Sequence, residues 1–487
     1  MTDRFALFAL SLLHIVASTM AHAAEPINIG DRRELFVDRA LIDNLDGARL
    51  VLNRLRDEGV VLRLDKPWEG RFCIYTTVIR DGERFRCYYR GLPEVDAAAV
   101  TCYAESTDGI HWTKPHLGLV EVDGTKENNV LLADAGPVNH NFSPFLDLRP
   151  GVPSSERYKA LGGTSPESGL IALVSADGIH WSKLRDEGVI HETGWAFDSQ
   201  NVAFWSPVEQ KYVAYYRKAS EGIRSMARVT SDDFVTWSKP ERMIYSDTGT
   251  ATPSHHLYTN QTHPYFRAPH ISIATAARFM PGRQVITPEQ AKAIDVDPKY
   301  FGDTSDSVFM TTRGGNRYDR TFLGALIRPG IGPENWVSRT NYPALGVVQT
   351  GETEMSIYVN QNYGQRTAHL RRYSLRLDGF ASARADDSGG ELLTLPLIFS
   401  GKQLSINFAT SAAGGIRVEV QTTDGKPVPG FTADDCREQI GNEIERLVSW
   451  KAGTDVSALA GKPIRLRFVM KDADLYSFRF QTRLVEK

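Results

Sequence analysis

Three acidic residues have the surroundings expected of acid–base catalysts. Glu69 lies in "DKPWEGRF", Asp198 in "TGWAFDSQN" and Asp306 in "GDTSDSVFM". Cleavage of a glycosidic bond needs an acid that protonates the leaving oxygen and a second carboxylate that acts as base or nucleophile on the sugar. The sequence predicts Glu69 and Asp198 as this catalytic pair, without deciding which is the acid, and Asp306 as a third catalytic candidate in reserve.

Polar and aromatic residues accompany the carboxylates at corresponding places along the chain. Amides and imidazoles suit sugar hydroxyls, while a tryptophan beside each carboxylate would lower the local dielectric and raise its pKa towards that of a general acid. The plainer alternative is that each polar group caps a strand end. Their shared position favours a site, and the predicted substrate-binding residues are Trp68, His140, Asn141, Trp195, Gln200, Asn201, His256, Asn260, Arg339 and Asn341.

The elements that would position these residues are short strands in a repeated meander. Residues 72–115 alternate apolar and polar residues in four segments, and Asp81-Gly82 between the first two is a strong hairpin signal. Similar stretches occur at 141–184 and 200–240 and, more loosely, near 255–322 and 339–380. Five successive four-stranded units predict an all-β, five-bladed β-propeller, in which each blade packs against its neighbours.

A second repeat marks one end of this fold. "STDGIHWTKP" at 106–115 recurs as "SADGIHWSKL" at 175–184 and, more weakly, as "TSDDFVTWSKP" at 230–240. Every copy could use its aspartate to accept bonds from turn amides, whereas a catalytic residue should occur once. Asp108 and Asp177 are therefore interpreted as structural. By topology these turns lie at one end of the propeller and the first strands begin at the other. We expect the site at the end where the first strands begin.

The two ends of the chain differ from the repeats. A basic residue, an apolar run and Ala21-His22-Ala23 predict a signal peptide over 1–24, rather than a membrane anchor, and hence export to the periplasm or outside the cell. The propeller is expected over 25–385, with "RELFVDRALI" adding a strand that closes the ring. Longer alternating strands over 386–487 predict a β-sandwich accessory domain.

Composition narrows the range of partners. The net charge of −3 offers no attraction to nucleic acid, and no later segment is apolar enough to span a membrane. The four cysteines lack zinc-site spacing, and the hairpin register predicts buried thiols rather than a disulfide. No cofactor is expected. A structural Ca²⁺ would fit the axis, but no ligand loop marks a site for it.

The whole pattern resembles glycoside hydrolase family 32 and its propeller relatives, families 43, 68, 117 and 130. The resemblance to family-32-like exported bacterial proteins rests on "ELFVDRALID", "DKPWEGRF", "STDGIHWTKP", "AFDSQNVAFW", "YTNQTHPYFRAPHI", "HLRRYSLRLDGF" and "DADLYSFRF". It implies a five-bladed propeller with a sandwich and activity on sugars. The Asp-Pro-Asn nucleophile motif of family 32 is replaced here by "PWEGRF", so its catalytic set and its fructose specificity are not carried over.

The predicted function is an exported glycoside hydrolase that removes a terminal sugar from a glycan. Two alternatives remain open: a propeller that binds glycan without cleaving it, and a structural surface protein. A carboxylate pair within about 5–10 Å across the propeller mouth would distinguish an enzyme from a binding module. A surface protein would have no concave pocket on the axis.

Overall fold

The structure is a computed structural model, and it describes residues 25–482. The predicted signal peptide at 1–24 lies outside the described residues. The fold is nearly all β, as predicted. Two short α-helices occur among the described residues: α1 (Val138–Asn141) and α2 (Pro288–Ala293). Helix α2 is the helix that "TPEQAKAI" predicts, and Thr287 and Gln290 form its capping box.

The chain starts with four strands that precede the repeats and one that joins them. The first four are β1 (Ile27–Gly30), β2 (Glu34–Leu35), β3 (Ile42–Asp46) and β4 (Ala48–Leu52). They are followed by β5 (Arg56–Arg63).

Five four-stranded antiparallel units are found where the repeats were predicted. Unit one contains β6 (Ile74–Asp81), β7 (Arg84–Gly91), β8 (Val100–Ser106) and β9 (Val130–Leu132). Unit two contains β10 (Ser143–Leu146), β11 (Tyr158–Gly162), β12 (Ile171–Ser175) and β13 (Ser182–Lys183). Unit three contains β14 (Val202–Ser206), β15 (Lys211–Ser220), β16 (Ile223–Ser231) and β17 (Glu241–Arg242).

Units four and five are less regular. A short strand, β18 (Ile244–Tyr245), precedes unit four and pairs with β22 (Arg317–Tyr318). Unit four contains β19 (His256–Tyr265), β20 (Ala268–Met280), β21 (Thr304–Thr312) and β23 (Ala325–Ile327). Unit five contains β24 (Tyr342–Gln349), β25 (Glu354–Gln361) and β26 (His369–Arg376), and β5 is its outer strand.

The first strands of the five units form a closed ring. Strand β6 contacts β10, β10 contacts β14, β14 contacts β19, and β19 contacts β24. Strand β24 then returns to β6, with Leu345 pairing parallel to Thr77. The starts of the first strands therefore meet at one end of a common axis.

The segment that was expected to close this ring does not do so. The predicted segment "RELFVDRALI" supplies β2, which pairs with the C-terminal strands, and β5 occupies the outer edge of unit five instead. Arg33, Leu35 and Phe36 of the segment are all buried, which suits a place between two modules better than an outer edge strand.

The C-terminal strands complete a second module together with the N-terminal ones. They are β27 (Ala381–Ala385), β28 (Gly390–Thr394), β29 (Leu397–Phe399), β30 (Gln403–Gln421), β31 (Asn442–Leu447) and β32 (Arg465–Gln481). Strands β1, β2, β3 and β4 pair with β29, β32, β28 and β27 respectively. The pairing thus joins 27–52 to the residues after 381, although the sequence suggested a single boundary near 385.

The first hairpin of unit one has a different register from the predicted one. Asp81 pairs with Arg84, so the turn is Gly82-Glu83 and Cys87 lies opposite Val78 instead of Thr76. Gly82 has φ +62, a value that glycine adopts without steric cost. All four cysteines are buried free thiols, as predicted.

The Asp-Gly-Trp repeats are turns that connect neighbouring units. In the first copy, Asp108 Oδ1 accepts from the amides of Ile110 at 2.7 Å and His111 at 2.8 Å. Asp177 accepts the equivalent bonds from the amides of residues 179 and 180. The Gly178 carbonyl accepts from the indole of Trp181 in its own turn and from the hydroxyl of Tyr88 in unit one. The aspartates are therefore structural.

Candidate functional site

One end of the ring forms a polar and aromatic opening, called the mouth here. It gathers side chains from the start of the first strands and from the end of the second strands. Tyr75 of unit one lies 5.7 Å from His140, which precedes unit two, measured between ring centres. The guanidinium of Arg217, from unit three, lies 4.7 Å from the Tyr258 ring of unit four, which is 5.4 Å from Tyr342 of unit five. All five units contribute to the mouth.

Asp198 is the carboxylate of the mouth. Its side chain is 47% exposed, and its Oδ2 accepts a 2.9 Å bond from the buried guanidinium of Arg217. Its Oδ1 lies 3.5 Å from His140 Nε2. Asp198 therefore has a fixed orientation while one side of the carboxylate remains open to a ligand.

The charge state of Asp198 differs from the prediction. Burial alone would raise its pKa, but the hydrogen bond from His140 and the charge of Arg217 outweigh burial and hold the pKa well below its usual range. The prediction that Trp195 would raise the pKa of Asp198 is not met, because Trp195 is itself exposed and packs against arginines. Asp198 is thus ionised and suits the role of base or nucleophile, not that of acid.

His140 lies between this carboxylate and an arginine. Arg90 Nη1 lies 3.3 Å from His140 Nδ1 and 3.1 Å from Nε2. Because arginine only donates, the tautomer that fits this network has Nδ1 accepting from Arg90 and Nε2 donating to Asp198. Burial, followed by the charges of Arg90 and Arg339, lowers the pKa of His140, although Asp198 opposes the shift.

The backbone of the mouth adopts conformations that bulky residues rarely take. Tyr75, Phe197, Arg339 and Asn341 have φ of 59°, 65°, 58° and 60°. Tyr75 lies at the start of β6, while Phe197 lies in the turn before β14 and Arg339 and Asn341 lie just before β24. Such strain concentrates where a fold holds side chains for binding or catalysis. Here it aims Tyr75 and Arg339 into the mouth and shapes the turn before Asp198.

Glu69 and Trp68 do not reach the mouth. Glu69 is fully buried, and its carboxylate binds Lys114 Nζ and the Tyr89 hydroxyl, each at 2.6 Å. Trp68 donates to Asn129 within the core of unit one. Successive residues of a strand point to opposite faces. Since Tyr89 holds Glu69 and the next residue, Arg90, reaches His140, the sheet of unit one separates Glu69 from Asp198.

Asp306 is also separated from the mouth, because its side chain lies on the opposite face of its strand. Its carboxylate forms a two-point ion pair with Arg278 on the neighbouring strand. The preceding residue, Ser305, accepts a bond from the backbone amide of Arg339, which reaches the mouth. Adjacent strand residues face opposite ways, so Asp306 lies on the other face of unit four. The three predicted carboxylates are therefore not brought together.

Several predicted substrate-binding residues hold the ring itself. The Asn141 amide donates to the carbonyls of residues 163, 197 and 199, and thereby supports the turn that carries Asp198. Gln200 donates to Thr77 and accepts from Gln261 on the axis. The remaining buried amides bind neighbouring backbone or side-chain groups, and they are Asn201, Asn260 and Asn341.

Other predicted residues do lie at the mouth. Trp195 is 45% exposed and lies against the guanidinium groups of Arg217 and Arg224, each 4.8 Å from its ring centre. His256 is half-buried beside Arg224, which lies 3.2 Å from its Nδ1. Arg339 lies 4.9 Å above the Tyr300 ring. With His140 and Asp198, these residues form the part of the predicted site that the structure brings together.

A tripeptide in the sequence could have indicated two arginines of the mouth. The tripeptide Tyr-Tyr-Arg lies in the second half of the second strand in unit one, at Arg90, and again in unit three, at Arg217. In an antiparallel unit the second strand ends beside the start of the first, so both arginines fit the topology of the mouth. No comparable pattern marks Arg224, Tyr258 or Tyr342, whose places depend on how units three, four and five pack.

The opposite end of the ring has another character. A cavity of about 520 Å³ opens there, lined mainly by apolar side chains that include Phe145, Phe204 and Val347. No carboxylate lines it. It therefore lacks the groups that acid–base chemistry on a sugar requires.

Neither metal ligands nor spanning helices are found in the described part of the chain. Within residues 25–482, no group of three or more His, Cys, Asp or Glu side chains is arranged to hold a metal ion. No helix among the same residues has the length and apolar character needed to cross a membrane.

Comparison with known proteins finds relatives in structure alone. No family model matches the chain, and no curated protein is similar to it in sequence. A solved glycoside hydrolase is 10% identical with a TM-score of 0.44, covering 66% of this chain and 92% of its own. A putative glycoside hydrolase from Bacteroides ovatus is 14% identical with a TM-score of 0.40, covering 66% and 96%.

A fructofuranosidase from Schwanniomyces occidentalis, solved with fructose, is also similar. It is 11% identical with a TM-score of 0.39, and the match covers 87% of this chain and 97% of that one. These neighbours are glycoside hydrolases, the class that the sequence resemblance indicated. No residue role is transferred from them at these identities.

Proposed function

We propose that the protein is an exported glycoside hydrolase that removes a terminal sugar at the mouth of a five-bladed β-propeller, with a C-terminal β-sandwich as accessory module. The observation that carries this proposal is Asp198, an ionised and oriented carboxylate that is half exposed among aromatic and polar side chains. The ring of five first strands supports the propeller.

Action on the end of a glycan is supported by the axis below the mouth. Gln200, Gln261 and Thr77 are buried there and hydrogen-bonded to one another. These bonds fill the centre of the ring, so a polysaccharide cannot thread through it. A blind opening accepts one sugar at a chain end more readily than the middle of a long chain.

The catalytic roles follow from the charge states. Asp198 activates water or attacks the anomeric carbon, because it is ionised. When it is protonated, His140 carries its second proton on Nδ1, and this proton is assigned to the leaving oxygen in place of the predicted second carboxylate, with the ligand displacing Arg90 from Nδ1. Trp195 offers an exposed aromatic face at the rim for the sugar. No metal or organic cofactor is needed for these steps.

One observation favours a second candidate function, a propeller that binds glycan without cleaving it. Glu69 and Asp306 are both engaged away from the mouth, so the carboxylate pair that was to mark an enzyme is not present there. Binding requires only the oriented polar and aromatic side chains. The two functions differ in turnover, which is directly measurable.

The test is a panel of aryl glycosides and plant or algal polysaccharides, with wild type compared with Asp198→Asn. The substitution keeps volume and an acceptor for Arg217 but removes the charge. Turnover on a cleaved substrate is expected to fall by about two orders of magnitude or more, with nearly unchanged melting. Asp186→Asn, at an exposed position outside the mouth, is the matched control.

A further arm separates the two roles of Asp198. In Asp198→Gly, added azide can take the place of the missing carboxylate and form a glycosyl azide. Recovered turnover with such a product supports direct participation of Asp198 at the anomeric carbon. If wild type binds glycans on the panel but releases no sugar from any of them, the hydrolase proposal is wrong and the binding function stands.

A further inference from the structure

Four arginines converge on the mouth of a protein whose net charge is negative. Arg90, Arg217, Arg224 and Arg339 come from units one, three and five. The Tyr258 ring lies within 4.7–5.6 Å of the last three guanidinium groups. The whole chain carries a net charge of −3. The positive charge at this place is therefore a local feature of the mouth.

These arginines have almost no compensating charge. Within residues 25–482, Arg217 is the one of the four that forms an ion pair, with Asp198 at 2.9 Å. Arg90 donates to the carbonyl of Phe72, to a tyrosine hydroxyl and to His140, none of which is charged at neutral pH. In the described part of the chain, no carboxylate lies within ion-pair distance of Arg224 or Arg339.

Hydrogen-bonding capacity is left unused as well. Among the described residues, Nη1 of Arg217, whose side chain is 1% exposed, is buried without a partner, and so are the Nε atoms of all four arginines, a feature that arginines elsewhere in the fold share. The hydroxyl of Tyr342 is buried and unpartnered too. A buried polar group without a partner costs free energy, and a charged one costs more. A ligand that supplies the missing negative charge would offset this cost.

The arginines are held rigidly enough to recognise that ligand. Trp195 contacts Arg217 and Arg224, while the Tyr300 ring lies under Arg339, so stacking restricts each guanidinium plane. Planar guanidinium groups bind carboxylate, sulfate and phosphate oxygens through two parallel bonds. The cluster thus has the charge and geometry of an oxyanion site.

We propose that the mouth is specific for an acidic sugar, one whose ring carries a carboxylate or a sulfate ester that the arginine cluster binds. That the ligand is a sugar rests on the proposed function. That it carries an oxyanion rests only on the arginines. Asp198 and His140 lie within the same cluster, so the acidic group is held beside the groups assigned to bond cleavage.

Calorimetric titration of the full chain tests this. The probes are galacturonate and glucuronate with their neutral twins galactose and glucose, galactose 6-sulfate, and inorganic phosphate. We expect an acidic sugar to bind at least about 10-fold more tightly than its neutral twin, since a charge-assisted bond contributes roughly 1.5–3 kcal/mol. The preference should shrink as salt is added, because the attraction is electrostatic.

Variants connect the preference to the cluster. Arg224→Gln and Arg339→Gln should each weaken binding of the acidic sugar about 10-fold or more and leave the neutral sugar nearly unaffected. Arg224→Lys keeps the charge but not the two-point geometry, so it should recover part of the loss. Arg437→Gln, at an exposed position in the C-terminal module, changes the net charge equally and should change nothing.

The outcomes separate this inference from the proposed function. A preference for uronate or for the sulfated sugar supports the inference and identifies the oxyanion, whether or not any glycoside is hydrolysed. Equal affinity for acidic and neutral sugars, or binding of phosphate alone, overturns it even if neutral glycosides are cleaved. Release of an unsaturated sugar from a uronate polymer would support the preference for an acidic substrate. It would contradict the proposed hydrolysis, because an unsaturated product forms by elimination.

Discussion

At the residue scale, the chemistry of the mouth depends on what surrounds Asp198. A carboxylate beside tryptophan alone would be a candidate acid, whereas one bound to Arg217 and His140 stays ionised. The proton that hydrolysis requires must then come from another group. Tyr75 and Tyr342 are poor donors for this step, because burial raises the pKa of each hydroxyl well above its usual value and each keeps its proton.

His140 therefore predicts an acidic pH dependence. Its pKa lies below 6.5 because of burial and the neighbouring arginines. The donor form is the protonated one, so kcat/KM should rise as pH falls through that pKa, and Asp198 should remain ionised throughout. In His140→Gln, this limb of the profile should disappear together with most of the turnover.

The measurement is a pH–rate profile of wild type and His140→Gln, with stability followed at each pH. An acidic ligand would partly neutralise Arg90 and Arg339, and so raise the His140 pKa in the complex above that in the free protein. The limb in kcat should thus lie at higher pH than the limb in kcat/KM. A wild-type rate that rises with pH instead would assign His140 the role of a base.

At the element scale, the strands and the DG hairpin could be predicted because turn chemistry and alternation are local. The turn of the first hairpin lies one residue later than expected, which shifts the strand pairing by two residues, since Asp-Gly can occupy either of two turn positions. The burial of Glu69 was beyond local reasoning. It depends on Lys114, 45 positions away, and on which face of β7 packs inwards. The closing strand was missed because β5 lies outside the repeats.

The repeated turns make a prediction at this scale. Gly178 has φ +76, and a side chain there would approach the Tyr88 hydroxyl of the neighbouring unit at 2.7 Å. Gly222 has φ +78 and open space around it. Both Gly→Ala changes carry about the same backbone strain of roughly 1 kcal/mol. Gly178→Ala should cost about 1–3 kcal/mol more, through crowding and loss of the hydrogen bond.

Denaturant unfolding of the two alanine variants measures that difference. Adding Tyr88→Phe to Gly178→Ala removes the crowded hydroxyl and should recover part of the loss, whereas adding it to Gly222→Ala should not help. Equal destabilisation by both glycine substitutions would mean that the turn does not connect units one and two.

At the scale of the whole molecule, the N-terminal segment lies between the two modules. Glu34 is fully buried and binds Arg313 and His270, both from unit four, while its strand β2 pairs with β32 of the C-terminal module. Arg33 forms ion pairs with Asp378 and Glu445 nearby. The modules are thus joined through buried charges, which makes their union sensitive to acid.

Glu34 sets the pH range of that sensitivity. Burial would raise its pKa, but the hydrogen bond from His270 and the charge of Arg313 lower it to about 2, from 4.5. A depressed carboxyl pKa stabilises the fold above about pH 4.5, and this stabilisation is lost as pH falls towards 2. The shift corresponds to something on the order of 3 kcal/mol.

Urea unfolding at pH 7 and at pH 3 should therefore show wild type losing more stability than Glu34→Gln, which is less stable than wild type at pH 7. Glu187→Gln, at an exposed position in unit two, should behave as wild type. An identical pH dependence in wild type and Glu34→Gln would show that this carboxylate does not hold the modules together.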